Sequence, residues 1–343
     1  ESLALSRMES NVRQAIYRQG FVAAFHFSEF SYVHSAAMKQ MLGTAKICAK
    51  SNAPLLIIGP EGTEKVPLAQ SIHNESNRRE HSFAVFHCGC VDPEQCSLAL
   101  FGRGGQDAAS HGMFESAHDG TLLLEDVEYL SPDAQRRLLH YLQTGTSIPC
   151  GVYSPQRLDV RVMATTSCNL AEHMEQRSFF ASLFYALNVF SLKIPPLRER
   201  KEDLDPLIDL TINRMERQYG RYLSLTKDAK HELLIYPWPG NLPQLQAFCE
   251  RLLLMSPHRS VNRDFVRRLL LEAYPVVLDL PSAGQQRVES PEAAVLVRLM
   301  AQYDGNRELI AKRLGISKTT LWRRLKKLGI EEDTKSLEPE NVP

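Results

Sequence analysis

The sequence predicts an α/β domain built on a parallel sheet, a helical subdomain behind it, and a separate small all-α helix-turn-helix domain. Three observations lead there. From about residue 25 to 194, short apolar runs alternate with amphipathic stretches, as strands do when helices cover both faces of their sheet. Residues 198–275 keep only helical periodicity, interrupted by Pro237-Trp238-Pro239-Gly240. Near the C-terminus, helix-start signals flank a tight Gly315-Ile316 turn.

In chain order, residues 1–25 open with sparse apolar positions, Leu5, Met8, Val12 and Ile16, at a helical spacing. With Glu1 in place of a methionine, they read as a linker helix from an upstream sensory domain. The α/β subdomain is expected over 26–197, with strands at 55–58, 84–86, 121–124, 160–165 and 189–192, and the helical subdomain over 198–275. Pro281, Ser282 and Gly284 mark a linker at 276–289. The last domain spans 290–330. Ser290-Pro291-Glu292 starts its first helix, a second runs over 306–314, and Ser317 caps a third that Gly329 stops. The tail, 331–343, is acidic and contains proline.

With 343 residues the chain has room for a sizeable core, and 40 basic against 40 acidic side chains leave it neutral. No apolar run approaches the ~18 residues of a membrane span, so the chain reads as cytoplasmic, with no membrane partner. The cysteines, 7 in all, are odd in number and scattered, which does not suggest a disulfide framework. His87-Cys88-Gly89-Cys90 with Cys96 is weighed as a metal site, but Cys-x-Cys lacks the usual two-residue gap and no second pair follows, so no metal site is assigned.

Against this neutral background the C-terminal module is locally basic. Between 306 and 327 lie Arg307, Lys312, Arg313, Lys318, Arg323, Arg324, Lys326 and Lys327 against the single acid Glu308. In such modules the start of the second helix of the motif enters the major groove. Ser317, Lys318, Thr319, Thr320, Trp322, Arg323, Arg324 and Lys326 are therefore the candidate DNA-binding residues. Ser317, Lys318, Thr319, Thr320 and Arg323 face base edges or nearby phosphates, and Arg324, Lys326 and Lys327 hold phosphates.

The strand at 55–58 runs into Gly59-Pro60-Glu61-Gly62-Thr63-Glu64-Lys65, a glycine-punctuated loop before a helix that resembles a phosphate-cradling P-loop. Gly59, Gly62, Thr63 and Lys65 are candidate nucleotide-binding residues. Glu64 stands at the second glycine of the motif. A carboxylate ~5 Å from a phosphate, at an effective dielectric near ~20, would repel each phosphate charge by about 3 kcal/mol, so weakened binding is expected.

Gly315-Ile316-Ser317-Lys318-Thr319-Thr320-Leu321-Trp322-Arg323-Arg324-Leu325 resembles the Fis-type helix-turn-helix of bacterial enhancer-binding proteins. His111-Gly112-Met113-Phe114-Glu115 and Gly120-Thr121-Leu122-Leu123-Leu124-Glu125-Asp126 resemble the Walker B region of the AAA+ domain of the same sigma-54-dependent activators. Residues 158–166 are similar to its sensor strand, Pro195-Pro196-Leu197-Arg198-Glu199-Arg200 to its next signature, and Trp238-Pro239-Gly240-Asn241-Leu242 to its helical lid. The resemblance implies an AAA+ P-loop domain with a lid, and it adds Glu125 and Asp126 to the candidate nucleotide-binding residues.

Measured against that family, Glu125-Asp126 inverts the pair that holds magnesium and polarises water. Ser167 replaces the sensor asparagine, Phe180 and Ala186 stand where two arginines reach a neighbouring subunit, and Pro243 stands where a lid arginine senses the γ-phosphate. After Leu100-Phe101-Gly102 the GAFTGA loop that touches the sigma factor is absent. The expectation is a DNA-binding regulator deficient in ATP hydrolysis and sigma-54 contact, the alternative being an active ATPase that remodels sigma-54 RNA polymerase. Expected ligands are weakly bound ATP or ADP with magnesium. Expected partners are an inverted-repeat operator in double-stranded DNA, RNA polymerase, and a second copy of the chain, as a dimer more readily than a hexamer.

Overall fold

The computed structural model describes residues 26–103, 111–151 and 155–274. The chain divides into two units, 1–277 and 278–343, and every described residue belongs to the first. The linker helix, the linker, the tail and the helix-turn-helix expected from the sequence lie outside the described residues.

Strands β1 (Leu55–Ile58), β2 (Phe83–His87), β3 (Thr121–Glu125), β4 (Arg161–Thr166) and β5 (Phe190–Lys193) form a five-stranded sheet in the order β2-β3-β4-β1-β5. Every neighbouring pair is parallel. Each apolar run of the sequence supplies one strand, and β4 is buried at all its positions, as a central strand covered on both faces must be. The period-two alternation of strand side chains divides the core. Leu55, Ile57, Val85, Leu123, Met163 and Leu192 pack on one face, and Leu56, Ala84, Phe86, Leu122, Leu124, Val162 and Ala164 on the other.

Helices α1 (Ala36–Ala49) and α2 (Lys65–Asn74) cover the first face. The second is covered by α3 (Pro93–Phe101), the single turn α4 (Met113–Ser116), α5 (Pro132–Thr144), α6 (Leu170–Glu175) and α7 (Ala181–Leu187). Local chemistry sets the boundaries. Ser131 accepts a hydrogen bond from the Ala134 N–H at 3.3 Å and Pro132 follows at the first helical position of α5, where its missing donor costs nothing. Pro67 sits in the first turn of α2 for the same reason.

The lid comprises α8 (Lys201–Tyr219), α9 (Lys227–Ile235), α10 (Asn241–Met255) and α11 (Arg263–Ala273). Its periodicity announces helices alone, but Ser224–Leu225 and Ser260–Val261 also pair as a short parallel ribbon. Two-residue strands carry no alternation to read. At the break between α9 and α10, Trp238 is 1% exposed and its indole donates to the Leu233 carbonyl at 2.8 Å. That pairing satisfies the one polar atom of a large buried ring.

Candidate functional site

A parallel sheet gathers the ends of its strands along one edge, and in open α/β sheets that carboxyl edge is where ligands bind. Here it brings together Gly59 after β1, His87 at the end of β2, Glu125 and Asp126 at the end of β3, and Ser167 after β4. Residues far apart in sequence thereby meet around Lys65.

Lys65 is 5% exposed. Its Nζ donates to the Gly59 carbonyl at 3.0 Å, the Pro60 carbonyl at 3.5 Å and the Ser167 hydroxyl at 2.5 Å. Burial lowers the Lys65 pKa against the opposing pull of Asp126, Glu128 and Glu125. The Ser167 hydroxyl also reaches Asp126 Oδ1 at 3.3 Å, and the Ser167 N–H donates to Glu128 Oε1 at 3.2 Å. Asp126 has left-handed backbone geometry, φ 54°, which aspartate tolerates better than most residues. Its N–H donates to the Thr165 hydroxyl at 3.2 Å. Burial and then the Glu128 charge raise the Asp126 pKa, against Lys65 and Ser167.

The structure therefore places Gly59, Thr63, Lys65 and Asp126 in one cluster, with Ser167 at its centre. A side chain at Gly59 would put its Cβ 2.8 Å from Thr63 Oγ1, and Thr63 Oγ1 donates to the Pro60 carbonyl at 2.8 Å. Glu125 is turned differently, with its carboxylate paired to the His87 ring Nδ1. His87 and Glu125 are register partners on adjacent strands, and the hydrogen bond to Glu125 raises the His87 pKa in spite of burial. The sequence raises His87 only as part of a metal-site candidate, not as a partner of Glu125, and gives no role to Glu128. The only available signal was position, at the carboxyl end of a strand for His87 and two residues after the acidic pair for Glu128.

Glu64 requires a correction. Its carboxylate is held by Arg200 Nη2 at 2.7 Å, with the two side chains 9% and 0% exposed, so its charge is neutralised across the lid joint and is not left to repel phosphates. Its backbone φ is −78°, open to any L-residue, so the position needs no glycine for conformational reasons.

Gly62 does need to be glycine. Its φ is +72°, and a Cβ there would lie 2.6 Å from the Gly240 carbonyl and 2.9 Å from Pro243 Cδ. The lid sits directly on the loop at this point. Leu242 N–H donates to the Gly62 carbonyl at 3.2 Å, and Asn241 Nδ2 to the Glu61 carbonyl at 2.7 Å. Asn241 Oδ1 also accepts from the Leu197 N–H at 2.9 Å. Pro243 brings a pyrrolidine ring to this contact and no cation. Phe180 is half-buried against the second core face, its N–H donating to Gln135 Oε1 at 2.9 Å, and Ala186 is half-buried on α7.

The candidate DNA-binding residues Ser317, Lys318, Thr319, Thr320, Trp322, Arg323, Arg324 and Lys326 lie outside the described residues. Among the described residues, no group of three or more His, Cys, Asp or Glu side chains could hold a metal ion. No helix there is long and apolar enough to cross a membrane.

Comparison with known proteins extends these findings. Residues 32–193 match the sigma-54 interaction domain, 198–276 the AAA+ ATPase lid domain, and 287–328 the Fis-family bacterial regulatory domain. The phenol regulator MopR of Acinetobacter guillouiae is 32% identical over 96% of this chain, which spans 61% of that protein. The hydrogenase transcriptional regulatory protein HoxA of Cupriavidus necator is 30% identical over 90% of the chain and 67% of its own length. Among solved structures, NtrX of Brucella abortus in complex with ADP superimposes with a TM-score of 0.65 at 29% identity, covering 86% of this chain and 69% of NtrX. With its parallel-sheet P-loop domain, lid and Fis-type module, the chain belongs to the sigma-54-dependent enhancer-binding transcriptional regulators.

Proposed function

We propose that this chain is a sequence-specific DNA-binding transcription regulator whose AAA+ domain holds a nucleotide weakly and has lost useful hydrolysis and contact with sigma-54. One observation carries the reading. At the lid contact over Gly62, where the family has an arginine, stands Pro243, a side chain that cannot stabilise charge developing on a transferring phosphoryl group. The other stations agree. Phe180 and Ala186 offer no guanidinium, and loss of an arginine finger typically removes roughly 10³ to 10⁵ in rate. Glu125 is engaged by His87, and Asp126 by Ser167.

What remains suits binding. Gly59, Gly62, Thr63 and Lys65 keep a glycine-punctuated loop before a helix N-terminus, so a nucleoside diphosphate of the kind found with NtrX suits the loop. Magnesium would fall to Asp126, the carboxylate nearest Lys65 and Ser167. The DNA-binding role rests on the Fis-type match at 287–328 and the basic run from Arg307 to Lys327. The inferred assembly is a dimer through these modules on an inverted-repeat operator. Residues 103–110, between Gly102 and His111, are too few to carry the sigma-contacting loop, so the regulator would act on RNA polymerase by another route.

The second reading is an active ATPase that remodels sigma-54 polymerase, favoured by Lys65 and by the match over 32–193. Calorimetric titration with ATP and a phosphate-release assay, run beside Lys65→Ala, separate the two. Binding weaker than millimolar, with release no faster than the variant's, is expected. Release that depends on Lys65 establishes the ATPase.

A further inference from the structure

Glu64 and Arg200 meet at the joint between the P-loop and the lid. Glu64 is the residue before α2 and Arg200 the residue before α8, and the 2.7 Å contact between them is closed to solvent. Arg200 Nε and Nη1 are buried and have no hydrogen-bond partner. A guanidinium in that condition depends on a single carboxylate to offset the cost of its desolvation. Three residues into the lid, the buried Asp203 accepts from the His34 and Ser35 N–H groups at 2.5 and 2.6 Å and from the Ser35 hydroxyl at 2.7 Å. The first turn of α8 is thus fastened at two points, to the start of α1 and to the P-loop.

These two fastenings differ in kind. Asp203 caps backbone donors that would otherwise be unsatisfied at a helix start. Glu64, by contrast, occupies a phosphate-cradling loop and directs its charge away from the cradle, into the lid. We propose that the Glu64 carboxylate is a built-in anion that holds the lid closed on the P-loop through Arg200, so that closure belongs to the chain and is not supplied by a nucleotide. This rests on the reading above, in which the domain is a P-loop scaffold that does not turn ATP over. It adds the residue pair that fixes that scaffold in one arrangement, and it assigns Glu64 a positioning role.

Amide hydrogen exchange of the full chain tests it, with wild type and Glu64→Gln compared at equal pH and the wild type measured with and without magnesium-ADP. Glu64→Gln keeps the side chain's size and removes its charge. The expected result is exchange in the first turns of α8 faster by roughly a hundredfold, the scale of stripping one partner from a buried pair. Amides of β1 and β4 should keep their rates, and wild-type α8 should exchange alike with and without the nucleotide. Unchanged α8 exchange in Glu64→Gln overturns the proposal, as does slowing of wild-type α8 by magnesium-ADP. If Glu64→Gln fails to fold, Glu64→Asp keeps the charge but draws it back from Arg200 by one methylene. Fast α8 exchange in that folded protein supports the latch, and wild-type exchange overturns it. Lys65-dependent phosphate release would sink the scaffold reading by itself, whereas the exchange rates decide the latch.

Discussion

The imidazole of His87 and the carboxylate of Glu125 are paired across the carboxyl ends of two neighbouring parallel strands. Each is the last residue of its strand, so the parallel register alone brings them together. The consequence is chemical. One oxygen of the Glu125 carboxylate is taken by the histidine, which leaves the other for any cation.

This pairing makes part of the stability depend on pH. The hydrogen bond that the His87 ring donates to Glu125 raises the His87 pKa, so the protonated ring is favoured in the folded chain over the unfolded one. A raised folded value contributes stability that is fully present below the unfolded value, near ~6.5, and is lost as pH rises through the folded value. The His87 side chain is 42% exposed, and solvent screening holds the contribution to about 1 kcal/mol or less. In urea denaturation, wild type should exceed His87→Gln at pH 5.5 and the gap should close by pH 8.5. A gap that is constant across this range would mean that the ion pair contributes nothing.

Gly62 gives a sharper test of how the lid sits. Gly62→Ala must hold an L-residue at φ +72° while its Cβ meets the Gly240 carbonyl at 2.6 Å. The combined strain should cost roughly 2 kcal/mol or more, with the lid lifted from the loop. Gly43→Ala is the matched control. It lies inside α1 with nothing within 4 Å of its Cβ, and should stabilise by about 0.5–1 kcal/mol. Chemical denaturation of the two variants should therefore move in opposite directions. Equal shifts would mean that Gly240 does not approach Gly62.

These two sites show what could be read in advance. The five strands were legible because each is a short apolar run between amphipathic stretches, and the lid was legible because Pro237-Trp238-Pro239-Gly240 breaks a helical pattern. The cluster of Gly59, Thr63, Lys65 and Asp126 followed from motif spacing and strand order. Glu64 with Arg200, 136 residues apart, and His87 with Glu125 were not legible. Their partners are fixed by tertiary contact and leave no local period. The repulsion assigned to Glu64 failed for the same reason, since a position in a motif does not say which way a side chain turns.

The thiols report on the packing of both core faces. Cys88, Cys96, Cys48 and Cys249 are buried and free, while Cys90 is exposed. Burial pushes the Cys249 thiol up to about 12 and raises Cys48, Cys88 and Cys96 as well. Since the thiolate is the reactive form, a disulfide-exchange reagent at pH 8 should label Cys90 fast. It should reach Cys249 and Cys88 only on unfolding. Rapid native labelling of Cys249, located by mass spectrometry, would contradict the packing of α10 in the lid.

The last prediction concerns the C-terminal module, where the proposed roles assign charge and base recognition to different residues. Lys326 is assigned to phosphate, so Lys326→Ala should weaken binding about equally on every sequence. It should also lower the slope of log affinity against log salt by about 1, because one counterion fewer is released. Arg323 is assigned nearer the base edges. Arg323→Ala should cost about 1–3 kcal/mol on the preferred site and reduce its margin over random DNA. Fluorescence anisotropy on a duplex selected from a random pool, titrated at several salt concentrations, measures both quantities. If Lys326→Ala changed sequence preference, or Arg323→Ala changed only the salt slope, the helix would be seated in the groove with a different face toward the bases. The roles assigned from Ser317 to Lys326 would then rotate with it.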